Sequence, residues 1–174
     1  MFEGVFCPSI TITDDDGKID YELWGRHLDH LADAGINGVL LFGSIGEFYS
    51  VSLEDKKSVI DFAVERVAGR MKVFVGVGDT TYDNVLELTR YARSGADAVL
   101  AVSLHYFGPT DDAAEKYFGG IADATDLPVA IHFLARTGND LSPMWPARAA
   151  IEYLRQDTVD TISHTRASSA RPRT

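Results

Sequence analysis

A chain of 174 residues with 45% hydrophobic residues and a formal net charge of −10 suits one ordinary globular domain with enough apolar side chains to bury a core. Acidic residues outnumber basic ones by 26 to 16 and are spread along the chain, which excludes nucleic acid as the main partner, because phosphate binding needs clustered Lys and Arg. Cys7 stands alone, so an internal disulfide and a cysteine metal site are excluded. No apolar run reaches membrane-spanning length, and the start MFEGVFCPSI lacks the features of a signal peptide; the expectation is a cytoplasmic protein with no membrane partner.

Short apolar runs rich in β-branched residues alternate with amphipathic stretches at a loose period of roughly 30 residues. Gly4–Ile10 reads as the first strand. Asp20 then suits the N-cap of a helix that places Leu23, His27, Leu28 and Leu31 on one side. Asn37–Phe42 is the second strand. Ser52 followed by Asp55 resembles a capping box, opening a helix whose stripe is Val59, Phe62, Ala63 and Val67. Lys72–Val77 is the third strand, and Thr81 caps a helix carrying Val85, Leu88 and Ala92 that ends at Gly95. Asp97–Ser103 is the fourth strand, and Thr110 with Asp111 and Asp112 suits the positive end of a fourth helix. Pro128–Phe133 is the fifth strand, Ser142-Pro143 pairs an N-cap with a first-position proline, and Thr158–Ile162 is the sixth strand. The domain is expected over 1–163. From His164 onward HTRASSARPRT holds three arginines, no acid and no apolar pattern, as a flexible terminus or residues translated out of frame would.

Strict βαβα alternation predicts a parallel sheet covered by helices, either closed into a barrel or left open and doubly wound. No Gly-x-Gly-x-x-Gly follows the first strand, which counts against the dinucleotide-binding version. In parallel βα folds ligands bind beyond the carboxyl ends of the strands. Gly43-Ser44-Ile45-Gly46-Glu47 follows the second strand directly, and its backbone N–H groups can face an anion, although a plain strand-to-helix turn has the same composition. Tyr106, after the fourth strand, is a proton relay or a packed loop aromatic. Arg136, after the fifth, is a clamp for a carboxylate or a loop arginine bound to carbonyls.

The order Gly4…Pro8, Gly43-Ser-Ile-Gly-Glu47, Gly95-Ala-Asp-Ala-Val and Arg136-Thr-Gly, running from about Met1 to Leu141, resembles the dihydrodipicolinate synthase/N-acetylneuraminate lyase family. The resemblance implies a TIM barrel that binds pyruvate or another 2-keto acid as a lysine Schiff base, with no cofactor and no metal. It implies that Ser44 and Ile45 occupy the carboxylate-binding turn, where Ile45 replaces a second hydroxyl residue. Tyr106 matches the assisting tyrosine and Arg136 the arginine that recognises the second substrate. His132 stands where the principal tyrosine is expected, and Leu104 and His105 replace further family residues.

The family's lysine is aligned with Ser163, in Thr161-Ile162-Ser163-His164, and serine forms no imine. Of the five lysines, Lys72 begins a strand, while Lys18, Lys56, Lys57 and Lys116 are expected in a loop or on helices facing water. A closed barrel typically needs about 250 residues, so the fold class expected is α/β, an incomplete TIM-type parallel βα barrel of about five to six units. Open strand edges then predict marginal stability and self-association into a homo-oligomer. Three functions remain: a pyruvate-dependent lyase or synthase; a non-catalytic truncated or frame-shifted remnant that binds a keto acid; and a metal-dependent hydrolase using His105, His132 and His164.

Overall fold

The computed structural model describes residues 2–102 and 110–132. Within them lie five strands, β1 (Phe6–Pro8), β2 (Gly38–Leu41), β3 (Lys72–Gly76), β4 (Ala98–Val102) and β5 (Val129–His132). Four helices alternate with them: α1 (Tyr21–Asp33), α2 (Leu53–Val67), α3 (Tyr82–Ala92) and α4 (Asp111–Asp123). The strands form one parallel sheet in the order β1-β2-β3-β4-β5, in register from Phe6 opposite Gly38 to Val102 opposite His132. Each of the first five expected strands is present within its expected bounds. The sixth strand, the Ser142-Pro143 helix and the 164–174 tail lie outside the described residues.

Helix starts follow from their caps. The Asp20 carboxylate accepts from the Leu23 N–H at 2.8 Å, and the Thr81 and Thr110 hydroxyls accept from Asn84 and Ala113 N–H, each at 3.4 Å. Ser52 accepts from the Asp55 N–H at 3.1 Å and donates its hydroxyl to the Asp55 carboxylate at 2.6 Å. The reciprocal half of a capping box is therefore altered: the short Asp55 side chain takes the hydroxyl proton, where a glutamate would reach back to the backbone N–H.

Alternation along the strands divides the sheet into two faces. Val39 and Leu41 of β2, Val73 and Val75 of β3, and Val99 and Ala101 of β4 share a buried core with helix residues Leu28, Val59, Ala63, Val67, Val85, Leu88 and Ile121. Full burial of one such aliphatic side chain contributes roughly 1.5–3 kcal/mol. The intervening residues, including Leu40, Phe74, Leu100 and His132, take the other face. There Phe74 meets the rings of Phe2 and Phe6 at centroid distances of 4.7 and 4.8 Å.

The buried stripe of α1 keeps the expected Leu28 and Leu31 and differs at its start. Leu23 is 41% exposed, while Trp24 is buried and donates its indole N–H to the Ser9 hydroxyl at 3.1 Å. One residue of helix rotates the face by about 100°, and the larger ring with its polar handle takes the interior position. His27 is half-buried; burial and the neighbouring charge of His30 lower its pKa.

Candidate functional site

The carboxyl ends of the strands bear the polar loops. After β2 the chain enters Gly43–Glu47 through Phe42, which has a left-handed φ of 56° although it is not glycine. This conformation costs an L-residue roughly 1–2 kcal/mol. It turns the Phe42 side chain into the helix-side core, where it is 2% exposed. The Phe42 carbonyl lies where a Cβ on Gly76 of β3 would stand, so the neighbouring strand needs a glycine there. At the other end of the turn Glu47 is also left-handed, with φ 50°, before a 3-10 turn at Phe48–Ser50.

Gly46 sits against the segment that follows β1. A Cβ at Gly46 would lie 2.9 Å from the Ser9 carbonyl oxygen, and the Thr11 hydroxyl donates to the Gly46 carbonyl at 2.7 Å. The Glu47 N–H turns back to the Ser44 carbonyl at 3.2 Å. Among the described residues, none accepts a hydrogen bond from the backbone N–H of Ser44, Ile45 or Gly46. Ser44 and Ile45 are exposed, Ile45 at 61%. The turn thus offers successive N–H donors at the carboxyl edge of the sheet, suited chemically to a carboxylate or phosphate oxygen. The loop from Thr11 to Tyr21 also borders a cavity of about 600 Å³ whose walls include Lys18, Glu47 and Asp55.

His132 ends β5 opposite Val102, on the sheet face away from the helices. It shares the carboxyl edge with the Gly43–Glu47 turn, with β3 and β4 between their strands. Tyr106, Arg136 and Ser163 lie outside the described residues, as do His105 and His164. Of the three histidines invoked for a metal centre, the described residues therefore include His132 alone.

Lys56 corrects an expectation. Rather than facing water, its side chain is 1% exposed. Its ammonium donates to the Asp79 carboxylate at 2.7 Å and to the Gly78 carbonyl at 3.1 Å, and lies 5.9 Å from the centroid of the Phe48 ring. Asp79, just beyond β3, also accepts from Thr80 and Thr81 N–H and from the Asn84 amide. Burial alone would raise its pKa, but the hydrogen bonds from Lys56 and Asn84, the Lys56 charge and the Thr81 N–H together hold it below the ordinary carboxylate value. A lysine on a polar helix turn normally reads as solvated, and its counter-charge here stands 23 residues away. An acid directly after a strand end was the available signal. The other lysines follow expectation more closely: Lys72 pairs with Asp97 beside the start of β3, and Lys57 bridges Glu54 and Glu87 on the helical surface.

The profile of the Dihydrodipicolinate synthetase family matches residues 1–150. The chain belongs to this family. Among its curated family relatives, the 4-hydroxy-tetrahydrodipicolinate synthase of Gluconacetobacter diazotrophicus is 36% identical over 86% of this chain and 51% of its own length. That of Methanocaldococcus jannaschii is 32% identical over 88% and 53%. Among solved structures of the family, dihydrodipicolinate synthase from Aquifex aeolicus aligns at a TM-score of 0.71 with 34% identity, covering 75% of this chain and 44% of that one. The Escherichia coli K12 prophage protein YagE, solved in complex with pyruvate, aligns at 0.75 with 28% identity, covering 92% and 63%. The chain spans about half the length of the curated relatives it matches, and its five-stranded parallel sheet is the corresponding part of their TIM-barrel fold.

Proposed function

We propose that this chain binds a 2-keto acid such as pyruvate by its carboxylate at the Gly43–Glu47 turn, and that it does so without forming a lysine Schiff base. The observation carrying this reading is the run of Ser44, Ile45 and Gly46 N–H groups, which have no acceptor among the described residues at the carboxyl edge of the sheet. The pyruvate bound to YagE supports the choice of ligand. The chemistry descended from the family is carbon–carbon bond formation or cleavage next to the keto group. In the intact scheme the positions of Tyr106 and His132 would transfer protons and Arg136 would orient a second carboxylate; here Ser163 takes the place of the imine-forming lysine and leaves the covalent step, and the proton transfers that serve it, undone.

Lys56 does not substitute for that lysine. Its amine is buried and held as an ammonium by Asp79 and Gly78, whereas attack on a carbonyl needs an accessible, deprotonated amine. Few contacts on a small anion correspond to a dissociation constant on the order of 1 mM. The test is pyruvate with and without sodium borohydride, read by intact mass and by saturation-transfer NMR of the pyruvate methyl group. The expected result is reversible binding with no mass increase. A reduced adduct mapped to any lysine overturns the non-covalent half of the proposal, and no binding at tens of millimolar pyruvate overturns the whole.

The open strand edges of a partial barrel support self-association into a homo-oligomer. A monomeric, cooperative unfolding transition at low protein concentration would remove that part.

A further inference from the structure

The Gly43–Glu47 turn is bounded by two non-glycine residues in left-handed backbone, Phe42 and Glu47. Such conformations persist where their surroundings over-determine them. At the first end the cause is plain: the Phe42 ring is buried and Gly76 leaves space for its carbonyl. At the second end the Glu47 side chain is exposed, and the Glu47 N–H bond to Ser44 lies within the turn itself. Among the described residues, the long-range hydrogen bond reaching this end comes from the Thr11 hydroxyl, which donates to the Gly46 carbonyl across 35 residues of sequence.

Thr11 reaches from a fixed base. Two residues earlier, Ser9 is 2% exposed, donates its N–H to the Leu40 carbonyl of β2 at 2.9 Å, and accepts the Trp24 indole N–H from α1. The segment is therefore held by both a strand and a helix before it meets the turn. Gly46 packs against the same segment through the Ser9 carbonyl. A hydroxyl that fixes the Gly46 carbonyl fixes the Gly46–Glu47 peptide plane, and so limits how the preceding N–H groups can rotate.

We infer that Thr11 is a positioning residue for the anion-binding turn: it holds the Ser44, Ile45 and Gly46 N–H groups in the orientation that receives a carboxylate, without touching the ligand. This rests on the keto-acid reading of the turn. The experiment compares the 174-residue chain with Thr11→Val, which keeps the branched shape and loses the donor, and Thr11→Ser, which keeps the donor. Backbone ¹⁵N relaxation of residues 44–47 and pyruvate titration are measured for each. In the native chain and Thr11→Ser the turn has order parameters of about 0.85; in Thr11→Val they fall toward about 0.6, while β2 and β3 stay rigid. Pyruvate binding weakens about fivefold in Thr11→Val, the scale of one net hydrogen bond, and returns to within about twofold of native in Thr11→Ser.

Native order and native affinity in Thr11→Val overturn the assignment. Order lost equally across β2 and β3 marks a general structural role and also overturns it. If the native chain binds no pyruvate, the keto-acid reading and the ligand-orienting role fail together, and the relaxation data still decide whether Thr11 holds the turn.

Discussion

Replacing Lys56 by methionine removes a cation while keeping the apolar stem of a side chain that is 1% exposed. The Asp79 carboxylate, itself largely covered, then loses its counter-charge at 2.7 Å, and the Gly78 carbonyl loses a donor. Breaking a buried pair from one side costs about 3–5 kcal/mol. Asp79 keeps the Thr80, Thr81 and Asn84 donors, which places Lys56→Met near the lower end, about 3 kcal/mol. In Lys56→Met/Asp79→Asn no uncompensated charge remains, and the amide oxygen can still accept from the α3 start, so the loss falls to about 1–2 kcal/mol. Urea unfolding followed by tryptophan fluorescence reads both, a 3 kcal/mol loss moving the midpoint by roughly 1.5 M at a slope of about 2 kcal/mol per molar. Because the folded-state pKa of Asp79 is held below its ordinary value, the pair's contribution is present above that ordinary value and is lost as pH falls through the lower folded one. The gap between native and Lys56→Met must therefore close on acidification below about pH 4. A loss under about 1 kcal/mol at neutral pH, or equal losses in single and double variants, refutes the pair as a source of stability.

Two glycines make a contrasting test of which close approaches can yield. Gly76→Ala drives a methyl group into the Phe42 backbone carbonyl, which the sheet cannot move, and is expected to cost more than about 2 kcal/mol by urea denaturation. Gly120→Ala meets the hydroxyl end of Tyr82, a ring 40% exposed that can move outward at the loss of its long hydrogen bonds to the Lys116 and Tyr117 carbonyls. The gain in helix propensity should offset that movement to within about 1 kcal/mol.

The elements of this fold were legible where the controlling chemistry is local. Asp20, Ser52, Thr81 and Thr110 each cap the helix expected of them, because an N-cap bond joins residues three apart. The β-branched runs became strands because both faces of a parallel sheet are covered. The interior face of α1 holds Leu28 and Leu31 as the period predicts, but Trp24 replaces Leu23 at its start, since both fit an apolar period and only the neighbouring Ser9 favours the indole. The site was legible as a glycine-rich turn in the right place, but not in its supports. The Thr11–Gly46 contact spans 35 residues and the Lys56–Asp79 pair 23, and neither a loop threonine nor a helical lysine differs in sequence from its solvated counterparts. The two left-handed residues, Phe42 and Glu47, were hidden for a similar reason: a bulky aromatic and a glutamate are poor signals for a conformation that tertiary packing imposes.

The strand order of the sheet is the order of the chain. Every strand from β2 onward pairs with the one made just before it, and each helix packs against the preceding helix. As the polypeptide leaves the ribosome, each new βα unit meets a surface that already exists, so assembly can proceed by successive addition at one growing edge. Loop closure is repeated over short distances rather than incurred once over a long one. Synthesis and folding then advance in the same direction, with one unpaired edge exposed at the growing end at each stage.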